Sequence, residues 1–171
     1  MPESEQHARP PDGPFETFHP SGEVATRGRY AGGLYDGTIS KFVSSAPGSE
    51  PLRSCCVPPG ASELRTEYGA GNLLSETFYD RAGRPLCADG TPWPERPPGV
   101  PEHAGFDEAS KRYCEREGPL FKPSRVRFYD GDGRPAEEFE FANGRPALRR
   151  GFGSAGQIVE EWGLAGGKPH G

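Results

Sequence analysis

The most constraining feature of this chain is a glycine spacing that recurs at its two ends. Gly22 is followed by Tyr30 after eight residues, Gly33 after three more and Gly37 after another four. Gly156 is followed at the same intervals by Leu164, Gly167 and Gly171. Interior segments extend the pattern: Gly71 leads to Tyr79, Gly133 to Phe141 and, as a degenerate copy, Gly48 to Cys56. The steps from Gly22 to Gly48, from Gly48 to Gly71 and from Gly133 to Gly156 are 26, 23 and 23 residues. Aromatic residues precede four of these anchors, at Phe18, Tyr68, Tyr129 and Phe152. A period near 23 residues marks a repeat architecture in which each unit relies on its neighbours to bury its apolar side chains.

The letters of each unit say what it forms. PSG, GAG, DGDG and SAG offer the positive-φ residues that tight hairpins need. Six to eight residues of partial alternation lie between the turns, as strands require. Counting from each anchor, one face is expected to carry Val24 and Tyr30, Leu73 and Tyr79, Pro135 and Phe141, and Ile158 and Leu164, with Phe139 and Trp162 between. Trp162 is accordingly expected in the apolar core. The opposite face is expected to carry Arg, Glu and small residues.

This periodicity matters because composition alone points elsewhere. The 171 residues include 25 Gly and 20 Pro, with 32% hydrophobic residues and a mean hydropathy of −0.77. Without regular placement, such a chain has too little apolar surface to offset its conformational entropy. The net charge of −5 and pI near 5.4 argue against a nucleic-acid binder, which presents a basic face. No window approaches the roughly 18 apolar residues of a membrane span. The polar amino terminus, MPESEQHARPPDGP, lacks the pattern of a secretory signal, so a cytoplasmic location is expected.

The organisation expected is a flexible tail over residues 1–12 and a repeat domain over 13–171. Its repeats fall at about 13–43, 44–62 (degenerate), 63–86, 125–148 and 149–171. A proline-rich insertion occupies 87–124, where PWPERPPGVPEHAGF cannot be a central strand because each proline removes a ladder donor. FDEASKRYCEREG has room for either a short helix or one irregular repeat.

GRYAGGLYDG and WGLAGGKPHG resemble the G-x-Y-x-x-G-x-x-x-G core of MORN repeats, and FHPSGEV and FYDGDGRP resemble the aromatic-x-x-x-Gly segment of the bacterial MORN variant. The resemblance covers about Gly13 to Val43, Glu63 to Leu86 and Arg125 to Gly171. It implies an all-β fold, a single-layer twisted sheet of consecutive antiparallel hairpins. It also implies a binding or scaffolding role without catalysis by the repeat itself. The bacterial variant is common in proteins classed as antitoxins.

Chemistry legible in the residues is sparse. Cys55, Cys56, Cys87, His103 and Cys114 contain no Cys-x-x-Cys pair, and adjacent strand cysteines point to opposite faces, so no metal site or other cofactor is expected. His7, His19, His103 and His170 are scattered over turns and tail, and no nucleophile motif occurs. Glu137-Glu138 and Glu160-Glu161 recur at matching places in neighbouring units and read as a solvated face with cross-strand partners such as Arg149 and Arg150. The expectation is therefore not an enzyme but an antitoxin- or immunity-like protein that neutralises a toxic protein or effector by binding it. Trp93, Phe106 and Tyr113 in the insertion, and Arg149 and Arg150 in the last repeats, are the candidate partner-binding residues. The rival expectations are a scaffold or membrane-surface module, and a small enzyme or ligand-binding protein with its site in 87–124. Against the membrane reading stand the net acidity and the absence of a lysine-rich patch.

Overall fold

Two kinds of turn recur along the chain and set the architecture. In the computed structural model, which describes residues 10–44, 57–165 and 168–170, the first kind has two central residues, both at positive φ. It occurs at Gly32-Gly33, Ala70-Gly71 and Asn143-Gly144, the geometry whose twist matches that of the flanking strands. The second kind is wider. At Asp130–Arg134 the Asp130 amide donates to the Arg134 carbonyl at 2.9 Å, and the Gly133 amide donates back to the Asp130 carbonyl at 3.1 Å. The same paired bonds close His19–Glu23, Asp80–Arg84, Cys87–Thr91 and Gly153–Gln157, each with its glycine in the fourth position at positive φ. Asp80 and Asp130 further cap their turns by accepting two backbone amides each on Oδ1.

The hairpins build two antiparallel sheets, and no helix occurs among the described residues. The chain divides into units Met1–Pro92 and Trp93–Gly171. The first holds β1 (Gly13–Phe18), β2 (Val24–Ala31), β3 (Leu34–Tyr35), β4 (Gly37–Phe42), β5 (Glu63–Gly69), β6 (Asn72–Tyr79) and β7 (Pro85–Leu86), in the order β1-β2-β4-β5-β6-β7 with β3 paired to β2. The second holds β8 (Gly105–Asp107), β9 (Arg112–Glu117), β10 (Arg125–Tyr129), β11 (Pro135–Ala142), β12 (Arg145–Phe152), β13 (Ile158–Ala165) and β14 (Lys168–His170), in consecutive order from β14 to β8. Of residues 87–124, therefore, two segments are strands of the second sheet. FDEASKRYCEREG forms the β8–β9 hairpin rather than a helix.

The turns also correct the phase of the third repeat. Gly71 is not an anchor: it lies in the two-residue turn between β5 and β6. Gly60, at φ +80°, holds the anchor's place, with Tyr68 eight and Gly71 eleven residues on, as Tyr30 and Gly33 follow Gly22. The next anchor is Gly83, 23 residues after Gly60. Both kinds of turn demand a positive-φ glycine, so glycine spacing alone does not tell them apart. The degenerate anchor Gly48 and its Cys56, together with Gly167 and Gly171, lie outside the described residues.

Phase decides faces. In the first sheet Tyr68, not Tyr79, joins the aromatic file Phe15–Tyr30–Tyr35–Tyr68, whose successive ring centroids lie 4.6, 5.1 and 5.2 Å apart. Beneath this file Ile39 is fully buried, with Leu64 and Thr66 beside it on β5. Gly28 makes the room: a Cβ there would stand 2.3 Å from Ile39 Cδ1 and 3.0 Å from the Phe15 ring. Tyr79 lies on the other face, under the Arg65 guanidinium at 4.1 Å.

In the second sheet the core lies where the proline-rich segment packs on β8, β9 and β10. Val100, Ala104, Tyr113 and Tyr129 are buried together, with Trp93 and Phe106 packed against them. The Tyr113 hydroxyl donates to the Pro94 carbonyl at 2.6 Å. The segment rests against the β10–β11 turn so closely that a Cβ on Gly133 would stand 1.9 Å from the Pro98 carbonyl oxygen.

Candidate interaction surface

Trp93, Phe106 and Tyr113 come together as one aromatic trio, with ring centroids 5.4 to 6.3 Å apart. Arg96 lies over the Tyr113 ring at 5.7 Å. The trio holds the 93–104 segment to the sheet, and Tyr113 is buried in doing so. Arg149 and Arg150 are elsewhere, on β12, where strand alternation sends them to opposite faces.

Around Arg150 the strands align a row of opposite charges. Glu115, Arg127, Glu138, Arg150 and Glu161 are successive cross-strand partners from β9 to β13. Glu138 is the hub: only 3% exposed, it accepts from Arg127 at 2.6 Å and from Arg150 at 2.8 Å. Arg150 also donates to Glu140 at 2.5 Å and to Glu161 at 2.8 Å. Burial works to raise the Glu138 carboxyl, but the two guanidinium groups outweigh it and hold the group below its ordinary range. Glu137 is held down in the same sense, on the other face, by Arg149 and Arg112 at 2.5 and 2.7 Å. Arg149 and Arg150 thus pair with Glu137 and Glu138 as expected, but Glu138 is buried rather than solvated. Two long guanidinium stems cover it, which residue type alone does not reveal.

The row opens differently at each end. Glu115 bridges His103 Nε2, at 2.7 Å, and the Tyr129 hydroxyl, which donates to its second oxygen. Burial and the Glu115 carboxylate push Tyr129 up to about 12. Tyr129 therefore stabilises the fold as a neutral donor below pH about 10, and that contribution is lost as pH rises through about 12. An absorbance titration at the phenolate band should show one tyrosine ionising about two pH units after the solvated ones, and Glu115→Gln should bring it earlier.

At the other end, among the described residues, part of β13 is paired on one side alone. β14 pairs only with Gly163, Leu164 and Ala165, so Ile158–Trp162 has β12 on one side and no described strand on the other. Ile158, Val159 and Trp162 are 53%, 57% and 43% exposed. Trp162, expected in the core, stands across from Arg149 at this margin instead. The reason is its strand's position, since nothing described covers it from beyond β13.

A second surface lies in the first unit, a polar groove of about 580 Å³ on the face opposite the aromatic file. Its floor is a three-strand array in which Thr38, Glu67 and Ser75, then Ser40, Arg65 and Thr77, then Phe42, Glu63 and Tyr79 face one another. Arg65 is taken up by Glu63 at 2.8 and 2.9 Å, and Glu67 accepts from Thr38 at 2.6 Å.

Among the described residues no three His, Cys, Asp or Glu side chains are placed to hold a metal ion. Cys55 and Cys56 lie outside those residues. Cys87 and Cys114 are buried free thiols, and burial pushes the Cys114 thiol up, away from thiolate chemistry. No helix long and apolar enough to cross a membrane occurs among the described residues. Comparison with family models, with curated proteins and with solved structures finds no match to this chain.

Proposed function

We propose that this chain is a non-enzymatic, MORN-like repeat protein that binds a protein partner at the β13 margin of its second sheet, and that the partner is a toxic protein or effector which it neutralises. The observation that carries this reading is the exposed group Ile158, Val159 and Trp162, flanked by Arg149 and Arg150. Aromatic and arginine side chains beside exposed aliphatic ones are the composition of an interface centre. Most polar side chains of this sheet are already committed to one another in ion pairs, which favours a rigid recognition surface over a reacting one. The packed aromatic trio leaves Arg149 and Arg150 as the better placed of the candidate residues.

The test is capture of the tagged chain from its native host, identification of any stoichiometric partner, and co-expression of the two. A partner whose toxicity disappears on co-expression, and returns when Trp162→Ala is combined with Val159→Ser, is the expected result. Capture of vesicles or of many components at low occupancy would overturn it in favour of a scaffold.

A further inference from the structure

Resting on the proposed binding margin, we infer that its occupant is an extended basic segment of the partner, added as a strand along β13 with two consecutive cationic side chains against Glu160 and Glu161. Three observations carry this. The outer edge of Ile158–Trp162 pairs with no described strand, so its backbone groups can take one more strand. The row Glu115–Arg127–Glu138–Arg150–Glu161 alternates in charge at each step and stops on an acid. Glu161 has spent one side of its carboxylate on Arg150, and its side chain is 53% exposed. On the other face Glu160 stands across from Gly151, and no ion pair engages it among the described residues. A strand laid along this edge meets one carboxylate on each face at neighbouring rungs.

Charge also decides against a second copy of this chain. Antiparallel pairing of β13 with itself about Glu160 and Glu161 sets carboxylates against carboxylates, which is destabilising directly across a ladder. A basic strand gains what an identical strand loses.

The experiment uses the whole chain and two capped peptides of about ten residues, alternating Thr and Val around a central pair that is Arg-Arg in one and Glu-Glu in the other. Backbone amide shifts and hydrogen exchange are followed on titration. The Arg-Arg peptide is expected to shift and protect amides within 158–162, to bind at least about tenfold more tightly than the Glu-Glu peptide, and to weaken with salt. Glu160→Lys with Glu161→Lys should reverse the preference. Glu160→Lys alone breaks no ion pair, so it keeps the test valid if the double variant loses its fold. Equal binding of both peptides, or shifts mapping away from β13, would overturn the inference. Neutralisation of a captured toxin by Glu160→Lys at undiminished affinity would overturn it while leaving the proposed function standing. Peptide preference without any toxic partner would do the reverse.

Discussion

Gly133→Ala is expected to lower stability by about 4 kcal/mol, against about 1 kcal/mol for Gly156→Ala. The two glycines occupy the same position of the same kind of turn in the same sheet, at φ +79° and +77°. The backbone strain of an added Cβ is therefore nearly equal in the two. What differs is the surroundings: the Gly156 Cβ meets nothing within 4 Å, whereas that of Gly133 meets the Pro98 carbonyl oxygen at 1.9 Å and the Val100 amide nitrogen at 3.2 Å. Both are backbone atoms, so relief requires the proline-rich segment to lift. Lifting it exposes Val100 and Ala104 and frees the rings of Trp93, Phe106 and Tyr113. Chemical denaturation should show the difference, and the near-ultraviolet signal of the aromatic cluster should weaken in Gly133→Ala alone. Equal destabilisation by both substitutions would mean that the segment is not seated on this turn.

Glu138→Ala is expected to cost about 3 kcal/mol, toward the low end for breaking a buried ion pair, because Arg127 and Arg150 keep some access to water. Glu140→Ala, which removes a half-exposed carboxylate from the same Arg150, should cost no more than about 1 kcal/mol. Acid supplies an independent reading of the same network. The Glu138 and Glu137 carboxyls are held below their ordinary 4.5 in the folded chain. A depressed folded value means that the stabilisation is complete above pH about 4.5 and is lost as pH falls through the folded values. The denaturation midpoint should therefore drop steeply below pH about 4.5 in the parent, and less steeply in Glu138→Gln. A Glu138→Ala variant as stable as Glu140→Ala would remove Glu138 from its place as hub.

The candidate surface was only partly legible beforehand. Arg149 and Arg150 stand out in the sequence because they lie about half a repeat from each of the recurring Glu137-Glu138 and Glu160-Glu161 pairs. Trp93, Phe106 and Tyr113 stand out as aromatics in a proline-rich stretch, and the structure brings all three together, packed around Val100 and Ala104 rather than displayed. That no described strand lies beyond Ile158–Trp162 has no signature in the letters. IVEEW reads the same whether or not another strand lies beyond it.

What the sequence by itself determined is the local part: hairpins of strands of six to eight residues, turning at glycines that only a positive φ explains, with FDEASKRYCEREG left open between a short helix and an irregular repeat. Positive φ and two-residue alternation are properties of neighbouring residues, so they survive without any knowledge of the fold. The tertiary structure alone decided which glycine opens the third repeat, which face receives Tyr68 or Tyr79, and that Glu138 is buried while Trp162 is not. The faces and the neighbours of Glu138 depend on cross-strand register, where a single bulge or a half-repeat change of phase moves a side chain to the other face without altering one residue of the chain, while the exposure of Trp162 depends on its strand's place at the margin of the described sheet.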